Sequence, residues 1–558
     1  HPPSRRVCDA RALLADRPSS SPLQRARCNI VARPAPPESI QSVRGVPGRP
    51  PPAPLQPPFA GTLGTLLRDR ALAAPDSTLL IHRGAAISVG ALAAAALQQA
   101  ADLGAQGIAA GDRVVTMLDP GPDHVALVLA LALAGAVWIP LSPEARGPSL
   151  VHALAVATPK LILAGAGAVA NLRAADTGQT GRIVEFDASG WGGVPTDPPA
   201  LEPPDDPDAH RAILFTSGTT GPPKGVIVTE RMLLASAAGC AIASDCSVGA
   251  GYLMWEPMHH IGGPQLLIAA LACQARLVLV PRFSASRFWD QVRRHDVTRI
   301  HYLGGIPEIL LRAPPSAGDR NHAVTLGFGG GCRADIRRAF QSRFGVPLRE
   351  VYGMTEASSF ATINLDGTEG AIGAPVPWFD VELHDASGHV LDGAATGQIV
   401  VRERQAGLLT PGYLGDPQAS AKLLKDGRLF TGDLARRDRD GHLYFLGRTT
   451  DSLRRRGENI SAWEVETALA AHPDIAEIAV TGVPSRIGDH DILCHVLLCE
   501  GVDYDPAALA AWSRENLPRP HVPRYWKRVE RFERTPSQRI RKGLLDRDIT
   551  RAFDLGDR

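Results

Sequence analysis

Lysine is scarce in this chain of 558 residues, since only six of its 59 basic residues are lysines. The formal net charge is only +1, so nothing suggests binding to nucleic acid or to an anionic membrane surface. The eight cysteines include no C-x-x-C pair, and we therefore expect reduced thiols and a cytoplasmic protein. The Walker spacing of Gly, four residues and Gly-Lys-Ser/Thr is also missing, so the sequence does not indicate a P-loop ATPase.

Long apolar runs are few, and the most prominent covers residues 125–141. That run contains Gly135 and ends in Trp-Ile-Pro-Leu, and it is at the short edge for a bilayer span. We interpret it as a buried helix that leads into a buried strand, and we expect no membrane association. With 44% apolar residues, the chain is long enough for two or three domains with sizeable cores.

The order of apolar segments predicts the domain organisation. Residues 1–58 are rich in Pro and Arg and have no periodic apolar face, so we predict a disordered leader, and whether it belongs to the native protein stays open. Helix-like and strand-like runs alternate from residue 59 to 449, which favours an α/β fold with a large doubly wound body. Residues 450–558 form a smaller segment, predicted to be a mobile α+β lid hinged near Thr450.

A Gly- and Thr-rich run in the middle of the chain is the strongest candidate for a ligand site. It covers residues 216–225 and lies between two strand-like segments, 212–215 and 225–228. Its glycines let the backbone approach a ligand closely, while its hydroxyls and one ammonium can bind a polyphosphate. The candidate residues are Thr216, Ser217, Gly218, Thr219, Thr220 and Lys224.

Further motifs follow in a fixed order, and together they resemble the adenylate-forming superfamily of acyl-CoA synthetases, adenylation domains and luciferases. These motifs are Pro-Met-His-His-Ile-Gly-Gly (257–263), Phe-Gly-Gly-Gly-Cys (328–332), Glu-Val-Tyr-Gly-Met-Thr-Glu (350–356), Thr-Gly-Asp-Leu (431–434) with Gly447-Arg448, and Arg-Arg-Gly-Glu-Asn-Ile-Ser (455–461). The resemblance covers about residues 59–545 and is of the acyl-CoA ligase type.

The resemblance implies a nucleotide site built from these motifs. Tyr352 would cover one face of adenine, Thr355 would hold the α-phosphate and Glu356 would bind Mg²⁺, as suits a carboxylate facing a hard cation. Asp433 and Arg448 would bind the ribose hydroxyls. The remaining nucleotide-binding residues implied are Gly329, Gly330 and Gly331 beside adenine, with Glu350, Val351, Gly353 and Met354.

The same resemblance implies an acyl pocket gated by His260 and a CoA tunnel that Gly457 and Glu458 help to form when the lid rotates. The pocket residues implied are His260, Gly263, Tyr302, Gly304, Gly305 and Gly329. So many glycines and so few obvious charges favour a roomy apolar pocket, which fits a bulky carboxylic acid. The implied cofactors are ATP or acyl-AMP, CoA and Mg²⁺, and the implied catalytic positions are His260, Thr355, Glu356 and residue 539.

Residue 539 departs from the pattern of the superfamily, whose members end in Pro-x-x-Gly-Lys. Here Gln538 replaces the glycine and Arg539 replaces the lysine that enters the site during adenylation. Loss of a preorganised cation of this kind typically costs about 3 kcal/mol, or ~10²–10³ in rate. We therefore predict an acyl-CoA ligase that retains thioester formation but is impaired in adenylation, with a separate adenylating enzyme as a possible partner.

Three alternatives stay open at this point. In a chain so poor in lysine, a harmless replacement of the lysine by arginine would leave a complete ATP-dependent acyl-CoA synthetase. The chain could instead be a freestanding adenylation enzyme that loads a separate carrier protein. It could also be a non-catalytic binder of an acyl-adenylate.

Overall fold

The computed structural model describes residues 51–175, 181–186, 203–216, 223–449, 452–455, 458–485, 490–517, 521–534 and 539–556. Within these residues the α-helices are α1 (Leu63–Ala73), α2 (Val89–Ala105), α3 (Pro122–Leu133), α4 (Gly147–Ala157), α5 (Ala166–Ala174), α6 (Glu230–Ser244), α7 (Gly262–Cys273), α8 (Ala285–Arg294), α9 (Ile306–Leu311), α10 (Ala334–Phe344), α11 (Pro417–Leu423), α12 (Ala462–Leu469) and α13 (Pro506–Asn516).

The strands are β1 (Thr78–His82), β2 (Ala85–Ser88), β3 (Arg113–Met117), β4 (Val137–Pro140), β5 (Leu161–Ala164), β6 (Arg182–Glu185), β7 (His210–Thr216), β8 (Lys224–Thr229), β9 (Gly251–Met254), β10 (Arg276–Leu279), β11 (Arg299–Leu303), β12 (Leu326–Gly330), β13 (Leu348–Met354), β14 (Ser359–Ile363), β15 (Ala374–Pro375), β16 (Phe379–His384), β17 (Ala395–Glu403), β18 (Leu424–Lys425), β19 (Arg428–Arg437), β20 (Leu443–Arg448), β21 (Ser452–Arg455), β22 (Glu458–Ser461), β23 (Ile475–Pro484), β24 (His490–Leu498), β25 (Tyr525–Arg528) and β26 (Phe553–Asp554).

The body contains two large sheets with many parallel pairs and one smaller antiparallel sheet. The nine-stranded sheet has the order β15-β14-β13-β12-β11-β9-β10-β1-β2, and the six-stranded sheet has the order β6-β5-β3-β4-β7-β8. Helices follow most of their parallel strands, which confirms the predicted α/β body. The antiparallel sheet, β16-β17-β19-β18 with β20 beside β19, is an addition that the sequence pattern did not predict.

The long apolar run at 125–141 is a buried helix that leads into a buried strand, as predicted. Pro122 occupies the first turn of α3, where its missing N–H costs nothing, and α3 is buried from His124 to its end. After a turn at Gly135, which has a positive φ of 69°, the chain enters the buried strand β4. Within the described ranges, no helix combines the length and apolarity needed to cross a membrane.

The body begins earlier in the chain than the predicted boundary at residue 59. Leu55 is fully buried in the main hydrophobic core, and it lies in a short 3₁₀ turn, Ala53–Leu55. The carbonyl of Pro58 accepts hydrogen bonds from the side chains of Arg231 and Gln405, the latter at 2.7 Å. Residues 51–58 therefore pack on the body, because an apolar side chain and a carbonyl both find partners there. The rest of the predicted leader lies outside the described residues.

The lid has its own hydrophobic core and an α+β arrangement, as predicted. A four-stranded sheet, β23-β24-β25-β26, packs with α12 and α13, and its core includes the fully buried Trp526. The hairpin β21-β22 joins this core through Leu453 and Ile460. The predicted hinge residue Thr450 lies outside the described residues.

Candidate active site

A glycine turn at residues 329–331, at the end of β12, forms one surface of the site. This turn is called the adenine floor. Strand β12 runs parallel to β13, and Gly329 lies opposite Glu350 in the register of the two strands. A Cβ at Gly329 would lie 1.9 Å from the carbonyl oxygen of Tyr302, and one at Gly330 would lie 2.8 Å from that of Val351. Glycine is therefore required at both positions, since a side chain would collide with the neighbouring backbone. The result is a flat peptide surface of the kind on which a purine can stack.

The buried Glu350 side chain stabilises this turn through hydrogen bonds. Its Oε1 accepts the backbone N–H groups of Gly331 and Cys332, the latter at 3.2 Å, and its Oε2 accepts the Tyr302 hydroxyl at 2.9 Å. Burial raises the pKa of Glu350 to about 7, and the three hydrogen bonds only partly oppose this. Tyr302, predicted to line the acyl pocket, is fully buried in the second core cluster and uses its hydroxyl to support Glu350.

Tyr352, predicted to cover adenine, contacts Asp433, which with Arg448 was predicted to bind the ribose, and the three side chains meet across two sheets. These three residues are called the ribose clamp. The Tyr352 hydroxyl donates to Asp433 Oδ2 at 2.7 Å, and Arg448 Nε lies 2.9 Å from Asp433 Oδ1. Asp433 on β19 is paired directly with Arg448 on β20, so the antiparallel register itself places the guanidinium beside the carboxylate. Phe445 backs the Tyr352 ring at a centroid distance of 5.9 Å. The clamp is therefore rigid, because each side chain is fixed by a strand and by a partner.

Thr355 and Glu356 lie on a 3₁₀ turn directly after β13. The turn ends at Ala357, and the two residues after it, Ser358 and Ser359, have positive φ values of 49° and 72°. Such values cost roughly 1–3 kcal/mol each for residues other than glycine. Glu356 is buried, and its Oε1 accepts the Tyr413 hydroxyl at 2.8 Å. Burial raises the pKa of Glu356, while the bond from Tyr413 opposes that shift. The strained backbone thus fixes the turn that carries the Glu356 carboxylate, directly after β13.

Tyr413 links this carboxylate to the phosphate-loop lysine. Thr216 ends β7 and Lys224 begins β8, and the two residues are paired across the strands; Ser217, Gly218, Thr219 and Thr220 lie outside the described residues. The Lys224 ammonium lies 5.0 Å from the centre of the Tyr413 ring. The motif search missed Tyr413, and its only sequence signal is an aromatic residue directly after Pro411-Gly412.

The residues present fit a bound Mg²⁺ that also contacts nucleotide phosphates. Glu356 supplies a carboxylate whose Oε1 is oriented by the Tyr413 hydroxyl. One carboxylate with phosphate oxygens and water is the donor set that Mg²⁺ prefers beside a nucleotide. Lys224, held beside the same ring, adds a positive charge that the phosphates would share.

His260 lies one turn before the fully buried helix α7. Its Nδ1 accepts the Gly262 N–H at 3.2 Å, which assigns the ring proton to Nε2. Burial, together with the charges of Arg539 and His259, lowers the pKa of His260 to about 4, so the ring is neutral at pH 7. A Cβ at Gly263 would lie 2.7 Å from the Pro257 carbonyl oxygen, so this tight turn requires glycine.

The other predicted pocket residues lie close to the adenine floor. Gly304 has a positive φ of 51°, and its N–H donates to the Gly330 carbonyl at 2.9 Å. Gly305 caps the N-terminus of α9. The end of β11 therefore joins the wall of the site to the first turn of α9.

A buried ionisable pair, Glu256 and His301, lies beside His260 and was also missed. The Glu256 carboxylate contacts His301 Nδ1, and both side chains are almost fully buried. A Cβ at Gly262 would lie 3.3 Å from Glu256 Cγ and 3.1 Å from His260 Nδ1, which places the pair under the first turn of α7. Burial lowers the pKa of His301 to about 3. A buried carboxylate thus lies next to a residue of the predicted apolar pocket, and its only sequence signal is a glutamate inside an apolar run.

Arg539 reaches from the lid into this site. Burial lowers the pKa of Arg539, and the neighbouring Arg448 lowers it further, whereas Asp433 and Tyr352 raise it. The side chain keeps a solvent-exposed face, but the body surrounds it closely enough to desolvate the guanidinium. Arg539 also contributes to the lowered pKa of His260, so its charge lies near the acyl-pocket residue as well as near the ribose clamp.

The predicted CoA-binding residues are described only in part. The backbone of Glu458 begins β22 and is paired with Arg455 of β21, while Gly457 lies outside the described residues.

Comparisons with known proteins agree with this geometry. The AMP-binding enzyme family matches residues 67–414, and the AMP-binding enzyme C-terminal domain matches residues 464–539. A sulfoacetate–CoA ligase from Cupriavidus necator is 30% identical, over 87% of this chain and 98% of its own. A crotonobetaine/carnitine–CoA ligase from Escherichia coli is also 30% identical, over 78% of this chain and 89% of its own.

Solved structures share the fold over nearly their whole length. ATP-bound MatB from Rhodopseudomonas palustris has a TM-score of 0.78 at 25% identity, covering 87% of this chain and 97% of its own. The o-succinylbenzoate CoA synthetase MenE from Bacillus subtilis, in complex with its acyl-adenylate, has a TM-score of 0.78 at 24% identity, covering 86% and 97%. The chain belongs to the AMP-binding, adenylate-forming family of enzymes. Within it, the protein is an acyl-CoA ligase, that is, an acid–thiol ligase, which confirms the resemblance in the motifs.

Proposed function

We propose that this ligase mainly catalyses the second half-reaction, in which CoA attacks an acyl-adenylate, and that it forms the adenylate from ATP slowly. The observation that carries the proposal is the position of Arg539, a guanidinium beside Asp433, Tyr352 and Arg448. Adenylation joins a carboxylate to the α-phosphate of ATP, so a cation must lie between two anions that approach each other. A compact ammonium can do this, whereas the guanidinium is planar, wide and forked.

The neighbours of Arg539 make the replacement costly. Asp433 attracts the guanidinium toward the ribose clamp, and Arg448, which is paired with the same carboxylate, repels it. A cation held near the ribose is poorly placed to bridge the reacting carboxylate and the α-phosphate. Removing a preorganised charge of this kind typically lowers a rate by ~10²–10³.

Thioester formation places fewer demands on residue 539. The thiol sulfur bonds to the acyl carbonyl carbon, the bond from that carbon to the phosphate oxygen breaks, and the thiol proton passes to the departing AMP or to solvent. The mixed anhydride is already electrophilic, so the protein mainly positions the reactants and excludes water. Asp433 and Arg448 would hold the ribose, Thr355 would hold the phosphate, and neutral His260 would border the carbonyl. Bound Mg²⁺, held by Glu356, would neutralise phosphate charge.

The substrate proposed is a bulky carboxylic acid, delivered as its acyl-adenylate by a separate adenylating enzyme. A Cβ at Gly304 or Gly305 would meet no atom within 4 Å, so the wall is open at these two positions, which supports a bulky acyl group. The two ligases from Cupriavidus necator and Escherichia coli are named for sulfoacetate and for crotonobetaine and carnitine, so small and charged acids belong in the test panel beside bulky ones.

The test compares two assays on the full chain. One supplies the acid panel with ATP, Mg²⁺ and CoA, and the other supplies synthetic acyl-adenylates with CoA. We expect turnover at least a hundredfold faster in the second assay, and we expect Arg539→Lys to restore the first assay selectively. Arg541→Lys, on an exposed neighbour two residues along the chain, is the matched control.

Three outcomes would replace the proposal. Equal turnover in both assays would show a complete synthetase. Transfer to a pantetheinylated carrier but not to CoA would show a carrier-loading enzyme. Tight binding of the acyl-adenylate without any turnover would show a binding protein.

A further inference from the structure

We propose that Arg312, Glu477 and Arg534 form a charged bridge that sets the position of Arg539 for adenylation. The bridge joins the body to the lid and then to the segment that carries Arg539. The inference rests on the proposed two-step function, because the lid must leave this orientation before CoA reacts. Arg312 and Glu477 are therefore positioning residues that act through Arg539.

The body supplies Arg312, which follows directly after α9. Its Nη2 donates to the carbonyl of Ala476 in the lid at 2.7 Å, and its Nη1 lies 3.9 Å from Glu477 Oε1. Helix α9 begins at Gly305, next to the Gly304 that is bonded to the adenine floor. The contact thus connects the lid to the element that carries the wall of the site.

Within the lid, Glu477 connects this contact to the segment that carries Arg539. Glu477 Oε2 binds the guanidinium of Arg534, and the backbone of Arg534 pairs with that of Ile540. The Arg541 N–H also donates to the Glu533 carbonyl, at 2.8 Å. Residues 533–534 and 540–541 are therefore joined by backbone pairing, and Arg539 directly precedes Ile540 of that pairing. A shift of Glu477 relative to the body would move Arg539 with it.

A second ion pair fixes the same segment inside the lid. Lys542 Nζ lies 2.7 Å from Glu466 Oε1 on α12, and that same oxygen accepts the Val480 N–H at 2.6 Å. The segment is thus fastened to α12 and β23 independently of the body. Breaking the contact at Arg312 would leave the lid folded and change only its orientation.

Arg312 also has an alternative partner within the body. Glu308 lies one helical turn earlier, and its Oε1 is 3.6 Å from Arg312 Nη2. When the lid rotates away, Arg312 can keep Glu308 as its partner. The Arg312 guanidinium therefore still has an ion-pair partner after it separates from Glu477. The bridge is partly solvent-exposed, with 44% of the Arg312 side chain and 20% of the Glu477 side chain accessible. Such a pair gives a weak, reversible bias of about two- to fivefold, which suits a contact that must break in every cycle.

The test measures both half-reactions in Arg312→Ala and Glu477→Gln. We expect adenylation to fall about two- to fivefold, while thioester formation from preformed acyl-adenylate stays unchanged or rises. Arg312→Lys, which retains the charge, should recover part of the loss. Arg293→Gln is the matched control, because Arg293 is an exposed arginine paired with Asp290 at 2.6 Å within the body. Unfolding midpoints of all variants should agree, since the bridge is not part of a core.

Each variant is made both in the natural chain and together with Arg539→Lys. If the natural chain adenylates well, the proposed function is wrong. The effect of the Arg312 substitution on the adenylation rate can still be measured in that chain. If it adenylates poorly, the effect is read in the Arg539→Lys chain. An equal change in both half-reactions, or no change in either, would overturn the bridge proposal.

Discussion

Glu350 should control both the shape of the adenine floor and its response to pH. The carboxylate accepts two backbone N–H groups from the turn and one hydroxyl from Tyr302. Glu350→Gln removes the charge but keeps an acceptor oxygen for the turn and an amide that can donate to the Tyr302 oxygen. Glu350→Ala removes the charge and the acceptors together. Comparing the two variants therefore isolates the hydrogen bonds, and comparing Gln with the natural residue isolates the charge.

The magnitudes follow from burial and from the number of bonds. In the Ala variant the N–H groups of Gly331 and Cys332 lose their acceptor, at about 1 kcal/mol or more each, while the Tyr302 hydroxyl keeps the Arg349 carbonyl, so this variant should be at least about 2 kcal/mol less stable than the Gln variant. A loosened turn must be reordered by the nucleotide, and we expect AMP affinity to be about tenfold or more lower in Ala than in Gln.

The pH dependence has a definite sign. The pKa of Glu350 is raised from 4.5 to about 7 in the folded state, so its contribution to stability is full below pH 4.5 and is lost as pH rises through 7. The shift corresponds to about 3 kcal/mol between these limits. The natural chain should lose this amount relative to Glu350→Gln between pH 4.5 and 8.

Calorimetry with AMP at pH 8 and denaturant unfolding at pH 5 and pH 8 measure these effects. Glu308→Gln, at a partly exposed glutamate on α9, serves as the control. Two results would refute the reasoning about Glu350. One is equal AMP affinity in the Ala and Gln variants, and the other is the same pH slope in the natural chain and in Glu350→Gln.

Three further predictions concern the remaining parts of the site. Tyr413→Phe removes the donor that orients Glu356, so half-maximal activation should need about three- to tenfold more Mg²⁺ with little change in stability, and a Mg²⁺ titration of adenylation in the Arg539→Lys chain checks this. Asp433→Ala should weaken AMP binding by ~10–100-fold, as loss of charge-assisted hydrogen bonds does, and isothermal titration with AMP and adenine would show whether the loss is confined to the ribose. Because the pKa of His260 is lowered to about 4, thioester formation should show no break near pH 6.5 from this group, and a break that disappears in His260→Ala would contradict its buried, neutral state.

Local sequence signals predicted the parts of the site that lie within one motif. The two strands predicted at residues 212–215 and 225–228 are present as β7 and β8, and the glycines at 329 and 330 lie where only glycine fits. The pairing of Asp433 with Arg448 follows from the antiparallel register of β19 and β20. The two strands follow from short apolar runs alone, whereas the glycines beside adenine and the roles of Asp433 and Arg448 were implied by the resemblance to the superfamily.

Contacts between distant segments could not be read from the sequence. Tyr413 and Glu356 are 57 residues apart, and Glu256 meets His301 only because β9 and β11 are neighbours in the nine-stranded sheet. Nothing local distinguishes Arg312 from the other arginines of an arginine-rich chain. The effect of Arg539 on adenylation stays a prediction.

The position of Arg448 at the last residue of β20 has a consequence for the order in which products depart. The chain passes from the body to the lid within a few residues of this point, so the ribose clamp would stay with the body if the lid rotates as predicted. We expect the thioester to be released first, while AMP stays bound to the ribose clamp until the lid moves again. The enzyme would then be sensitive to the energy charge of its surroundings, slowing whenever free AMP accumulates.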